Sequence, residues 1–460
     1  MMRRAGPAAL VVLLLLVAAG VHRGQTVQLP DPAALAEVWD REHRPMPPAP
    51  LVRHTHVVQA IEEARRAWGA DLAVDVIGHS VEGRALHHLQ LGTGSLGILL
   101  WSQMHGDEPT ATVALFDLLQ YLRAHRDEPV VRRLLERLTL HIVPMLNPDG
   151  AERFQRRNAQ GIDINRDALR LQTPEGRALK ALRDRFNPTI GFNLHNQNWR
   201  TSVGRTGRPA AISLLAVAFD EARSDNPGRI LAKKVCSIIR GAVEPLAPGM
   251  VARYDDEFEV RAFGDNLTKW GTSVVLIETG PHPGPNPDRA LVRLNFVAIL
   301  TALDALASGA ADAADPNGYE SLPMNGGGLF HTIVRGATIL PGTGVAPFTG
   351  DIGIVATRSV RTRDGQRELV WTPRVEDLGD LRVYGALEDV SGEGLTAAPL
   401  WDRSLRPGQV VSPPERVPDG PRIAPGQPGT IVLLRPAAEA GRYVVERIIS
   451  GPEAASDTAR

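Results

Sequence analysis

"LGILLWSQMHGDEPTATVALFDLLQYLRAH", residues 96–125, holds two periodicities back to back. Its first six residues are an almost unbroken apolar run, the pattern of a strand buried on both faces of a sheet. From Thr110 onward the apolar positions 111, 114, 115, 118, 119 and 122 recur at helical spacing. The polar turn between them carries His105, Asp107 and Glu108 just past the end of the strand. This is a strand–turn–helix unit, and such units build largely parallel sheets.

Working outward, the alternation continues. Residues 57–69 read as an amphipathic helix and 72–92 as strand, turn, strand. Residues 130–138 read as a helix and 139–148 as a strand. "TPEGRALKALRDRF" (173–186) opens with a Thr-Pro helix start, and "TIGFNLHNQ" (189–197) is a strand. Residues 226–243 form a helix, "GTSVVLIETG" (271–280) a strand and 288–309 a long helix. The sequence therefore predicts an α/β fold, a mixed and mostly parallel sheet with helices on both faces. After residue 308 the texture changes. Residues 309–326 have linker composition. From 327 to 460, short β-like runs such as "FHTIVRGATIL", "IGIVAT", "LRVYGAL" and "GTIVLLRP" alternate with Gly and Pro turns, which predicts a small β-rich C-terminal domain. Residues 26–52 are Pro-rich and read as an extended lead-in to an α/β domain over 53–308.

Composition narrows the function. Hydrophobic residues make up 43% and charged residues 22%, with a formal net charge of -1, so nothing marks a nucleic-acid-binding surface. The single cysteine, Cys236, excludes an internal disulfide and sits in a helical pattern as a small hydrophobe. "MMRR" followed by "AALVVLLLLVAAG" reads as a secretory signal over residues 1–25, with an uncleaved N-terminal anchor as the alternative. No other stretch reads as a membrane span. The expectation is an exported protein, periplasmic or extracellular.

Four further readings concern chemistry. "GHSVEG" (78–83) has its second glycine one residue too late for a serine-hydrolase elbow and lies between two strands, so Ser80 is not read as a nucleophile. His105 and Glu108, three apart at a strand-to-helix turn, can converge on one point, and both are zinc-type donors. Strands ending in His195 and Glu278 deliver two more such groups to the same carboxyl edge of the sheet, where ligand sites gather in parallel α/β folds. The loop "NPDGAERFQRRNAQGIDINRD" (147–167) adds Arg156, Arg157, Asn165 and Arg166. Arginine grips carboxylates at two points.

The ordered set "IGHSVEGRAL", "HGDE", "NPDG", "RRNAQGIDINRD", "LH" and "IETG" resembles the zinc metallocarboxypeptidase family of the carboxypeptidase A type, from about residue 53 to about 308. The resemblance implies that His105, Glu108 and His195 hold one Zn2+. It implies that Glu278 takes a proton from the zinc-bound water and returns it to the leaving amine. Arg156 matches the arginine that polarises the scissile carbonyl, with Arg157 the second choice. Asn165 and Arg166 match the pair that clamps the substrate's terminal carboxylate, and Tyr254 stands near the place of the capping tyrosine. Asp107 replaces an arginine found in digestive members, and Asn193 replaces a frequent Asp. The implied activity is removal of a C-terminal residue from a peptide with a free carboxylate. Two alternatives stay open: an amidase of the same fold acting on cell-wall stem peptides or acylated amino acids, and a non-catalytic binding protein of this fold.

Overall fold

A computed structural model describes residues 30–450, apart from 45, 48, 343, 365 and 415–419. The signal segment read over 1–25 lies outside the described residues. The first sheet contains β1 (Leu72–His79), β2 (Ala85–Leu91), β3 (Leu96–Ser102), β4 (Leu138–Val143) and β5 (Ile190–Asn196). After a short β6 (Ser202–Val203), it continues with β7 (Ile212–Ala216), β8 (Val251–Arg253) and β9 (Ser273–Thr279). The strand order is β1-β2-β4-β3-β5-β9-β7-β8. The four central strands β4, β3, β5 and β9 run parallel, and so do β7 and β8; the other neighbours are antiparallel.

The long apolar runs set this arrangement. Ile98–Trp101 in β3, Ile190–Leu194 in β5 and the whole of β9 are buried, as strands covered on both faces must be. One face packs under helices Pro32–Glu42, His54–Trp68, Thr110–Ala124, Pro227–Val243 and Pro287–Ser308. The other packs against Pro174–Phe186 and Phe263–Lys269.

Four details depart from the sequence reading. Residues 26–52 are not simply extended, because Pro32–Glu42 is a helix. Asp31 caps it by accepting from the Ala33 and Ala34 amides, Pro32 occupies its first turn, and Leu35, Ala36 and Trp39 bury one face. The count of prolines masked this start signal. Helix Pro287–Ser308 is long and apolar enough to cross a membrane by length and composition, but 89% of its apolar window is buried inside the fold. Residues 309–326 are not a free linker: Tyr319 is fully buried, and its hydroxyl accepts from the Ala216 amide at 3.2 Å. The run 381–387 is mostly a turn, with a strand starting only at Ala386.

At the end of the 309–326 segment, β10 (Asn325–Gly326) pairs with β6. The C-terminal domain is one sheet of β11 (Phe330–Ile339), β12 (Phe348–Arg363), β13 (Gln366–Gly379), β14 (Ala386–Ser391), β15 (Thr396–Pro399), β16 (Val410–Val411), β17 (Ile431–Pro436) and β18 (Tyr443–Ile449). Its core gathers Val334, Ile352, Ile354, Val375, Ile431 and Leu433. The β12–β13 hairpin, with strands of 16 and 14 residues, is far longer than the runs visible in the sequence.

Candidate active site

The turn after β3 is shaped by a contact between two glycines. A Cβ on Gly106 would stand 2.0 Å from the backbone carbon of Gly150, so "HGDE" can lie this close to "NPDG" only with glycine at 106. Gln103 fixes the turn by donating to the Gly106 carbonyl. Asn147 accepts from the Gly150 amide and donates to the Arg156 carbonyl, which ties the loop 147–158 to the same turn.

On that frame, His105, Glu108 and His195 converge, all buried, with their ligand atoms within 4.8 Å of one another. Glu108 Oε1 lies 2.8 Å from His105 Nδ1, and Oε2 lies 2.7 Å from His195 Nδ1. His105 Nε2 faces Asp163 Oδ1 at 3.1 Å. The network assigns the proton to Nε2, which aims the Nδ1 lone pair at the cluster. Two imidazoles and a carboxylate, held by a buried second carboxylate, fit Zn2+ in ligand type and number and leave a position open.

β5 and β9 are in register with His195 opposite Glu278, so the two side chains stand on neighbouring strands. Glu278 is buried and its Oε2 has no hydrogen-bond partner among the described residues. Burial, then the nearby Glu108 carboxylate, pushes its pKa up to about 8.

The same cleft, of about 680 Å³, is lined by Arg156, Asn165, Arg166, Tyr254 and Glu278 together with His105. Arg156 donates to Asp163 at 2.9 Å and sets Nη1 3.1 Å from His105 Nδ1. Arg157 instead donates to the Gly161 carbonyl, and it is absent from the cleft lining. Asn165 accepts from the Phe263 amide at 2.9 Å, and Arg166 pairs with Glu259 at 3.1 Å. The Glu278 carboxylate and burial hold the Tyr254 phenol protonated, with a pKa of about 12. Ser80 has a structural place: it donates to the buried Asp149 at 2.7 Å.

The sequence reading missed Asp163 and Asp265. Asp163 stands two residues before Asn165 in "GIDINRD", a local signal that was there to use. Asp265 lines the cleft and accepts from the Glu259 amide, and burial raises its pKa to about 7.

Residues 58–207 match the zinc carboxypeptidase family. That stretch holds His105, Glu108, Arg156, Asn165, Arg166 and His195 but stops short of Tyr254 and Glu278. The chain is similar to "Probable carboxypeptidase 2" of Arthroderma benhamiae, 30% identical over 183 residues that cover 35% of this chain and 34% of that protein. It is also similar to carboxypeptidase M of Mus musculus, 33% identical over 108 residues, 20% of this chain and 24% of that one. The matched region is thus about a third of the first relative's length and a quarter of the second's. Among solved structures, the metallo-carboxypeptidase from Burkholderia cenocepacia is 20% identical with a TM-score of 0.46, covering 55% of this chain and 69% of that chain. A metallo-carboxypeptidase from Pseudomonas aeruginosa in complex with (2-guanidinoethylmercapto)succinic acid is 21% identical with a TM-score of 0.45, covering 55% and 68%.

Proposed function

We propose that this chain, which carries a domain of the zinc carboxypeptidase family, is an exported zinc-dependent hydrolase that removes the C-terminal residue of a peptide. The observation that carries the reading is the convergence of His105, Glu108 and His195, with Glu278 in register beside His195. Zinc in such a donor set acidifies water and polarises a carbonyl oxygen. Glu278, buried on the strand beside His195 with Oε2 free of any described hydrogen-bond partner, takes a proton from the attacking water and passes it to the leaving amine. Arg156, held by Asp163 next to His105, presents a guanidinium to the scissile carbonyl and stabilises its developing negative charge. Asn165 and Arg166 take the substrate's free carboxylate, which displaces Glu259 from Arg166. Tyr254, with its phenol protonated, donates a hydrogen bond across the cleft.

The test uses the purified protein loaded with zinc and a mixed-sequence peptide library read by mass spectrometry. Single-residue loss from C-termini, abolished by a chelator and restored by zinc, is expected. Intact peptides with zinc bound would overturn the general peptide reading and direct the search to cell-wall peptides and acylated amino acids.

A further inference from the structure

The segment that follows the ligand His195 alternates between two surroundings. Gln197, Asn198 and Thr201 line the cleft. Trp199 and Arg200 point instead into the C-terminal domain. Trp199 packs edge-to-face on Trp371, with centroids 5.3 Å apart, and Arg358 lies over its ring at 4.8 Å. Arg200 pairs with Glu376 at 2.8 Å, and its carbonyl accepts from the Leu329 amide. The next residues form β6, which pairs with β10 at the entrance to the C-terminal domain, Val203 opposite Asn325 and Ser202 opposite Gly326. A Cβ on Gly326 would stand 2.2 Å from the Gly204 carbonyl oxygen, so this approach needs glycine.

Asn325 and Gly326 themselves line the cleft. Asn325 donates through Nδ2 to Gln197 Oε1 at 3.2 Å. Gln197 is in turn fixed by donating to the Ala210 carbonyl and to Ser213 Oγ. The Asn325 Oδ1 accepts nothing among the described residues and is left to the cleft. Asn325 shares no hydrogen-bond partner with the clamp, which is tied to helix Phe263–Lys269 through Asn165. Asn325 therefore reaches the cleft beside Gln197, two residues past the ligand His195, and not through the clamp.

Resting on the carboxypeptidase reading, we infer that the segment leading into the C-terminal β-domain, held in place by that domain, completes the substrate cleft. Asn325 hydrogen-bonds the backbone of the peptide on the amino side of the scissile bond, and Trp371, Arg358 and Glu376 hold the wall beside it. An amide side chain offers one acceptor and one remaining donor to a peptide backbone whatever its side chains, so it selects for chain length and not for residue type.

The experiment measures binding by isothermal titration to zinc-loaded full-length protein carrying Glu278→Gln, so that ligands stay intact. The ligands are a tetrapeptide and an N-acetyl amino acid with the same C-terminal residue. Asn325→Ala is expected to weaken the tetrapeptide by about five- to tenfold, the loss of one hydrogen bond, and to leave the N-acetyl amino acid within about twofold. Glu376→Ala, remote from the cleft, is expected to show the same split to a lesser degree. Zinc content and melting temperature, measured on each variant, establish that both fold. Equal weakening of both ligands, or no weakening in either variant, overturns the inference while leaving the carboxypeptidase reading in place. Failure of the parent protein to bind either ligand overturns both.

Discussion

Asp163 serves two groups at once: His105 Nε2 at 3.1 Å and Arg156 Nε at 2.9 Å. One carboxylate thus orients a ligand imidazole and a guanidinium that faces the same space. Replacing it by Asn keeps the shape and removes the charge. Asp163→Asn is expected to lower zinc affinity by about 10- to 100-fold, the range for residues that orient metal ligands, measured by competition with a chelating dye. Unchanged affinity would leave Asp163 a partner of Arg156 alone. Glu278 makes a different prediction, because it touches no other described donor through Oε2. Glu278→Gln is expected to retain zinc at one equivalent and to lower kcat by about 10²- to 10⁴-fold, the loss of a general base. Loss of zinc in that variant would mean that Glu278 supports the metal and not the proton transfer. The contrast between these residues shows what local sequence carries. His105 and Glu108 are three apart on one turn, and a spacing of that kind is visible in a string of letters. The Asp163–His105 pair spans 58 residues, and only folding of the 147–167 loop against the turn brings it together.

Whole elements were legible where burial made their pattern simple. β3, β5 and β9 are covered on both faces, so each reads as an apolar run. Helix Pro32–Glu42 was obscured by flanking prolines, although its Asp31-Pro32 start obeys ordinary capping chemistry. β12 was read only over "IGIVAT" and β13 was not named as a strand, because residues 357–364 are mostly polar and lie beyond the core. Such a hairpin is held by cross-strand pairing, which no single stretch displays. β2 and β4 carry a testable element-level feature. His88 and His141 face each other across these strands, Nε2 to Nδ1 at 3.1 Å, and both rings pack on Phe186. Burial lowers the pKa of each to about 4. In the unfolded chain an imidazole titrates near 6.5. Between those values the unfolded state binds protons that the folded state refuses. Stability is therefore fully present above about pH 6.5 and falls as the pH drops toward 4, by about 1.4 kcal/mol per pH unit for each imidazole. Denaturant titrations at pH 7, 6, 5 and 4.5 are expected to show this fall, and His141→Leu to make it shallower. An unaltered slope in that variant would show that His141 is already charged in the folded protein.

At the scale of the molecule, the two domains meet through a cation set among rings. Arg358 extends from β12 to lie 4.8 Å from the centroid of Trp199, 5.2 Å from Trp371 and 5.9 Å from Phe154. Its Nη2 stands 3.5 Å from Asp288 at the start of the long core helix, and its side chain is only 13% exposed. Two of the rings and the carboxylate belong to the α/β domain, and Trp371 belongs to the β-domain. The sequence offered no route to this contact, because its members come from five separate elements or loops and none stands in a motif. An arginine mostly removed from water is stabilising only while its partners remain. The α/β domain and the β-domain each have a hydrophobic core of their own. Coupling of the two in unfolding then depends on this interface and on the Arg200–Glu376 pair. The full-length protein is expected to melt in one calorimetric transition. Arg358→Ala removes the cation from three rings and leaves Asp288 without it, at an expected loss of about 3 kcal/mol. That loss is expected to separate the transition in two, with the β-domain melting first because it has the smaller core. Arg358→Lys keeps the charge but not the flat surface that stacks on indole, and is expected to fall between the two. A single transition with an unmoved midpoint in Arg358→Ala would show that the Arg200–Glu376 pair and the other contacts of the 199–203 segment join the domains without Arg358.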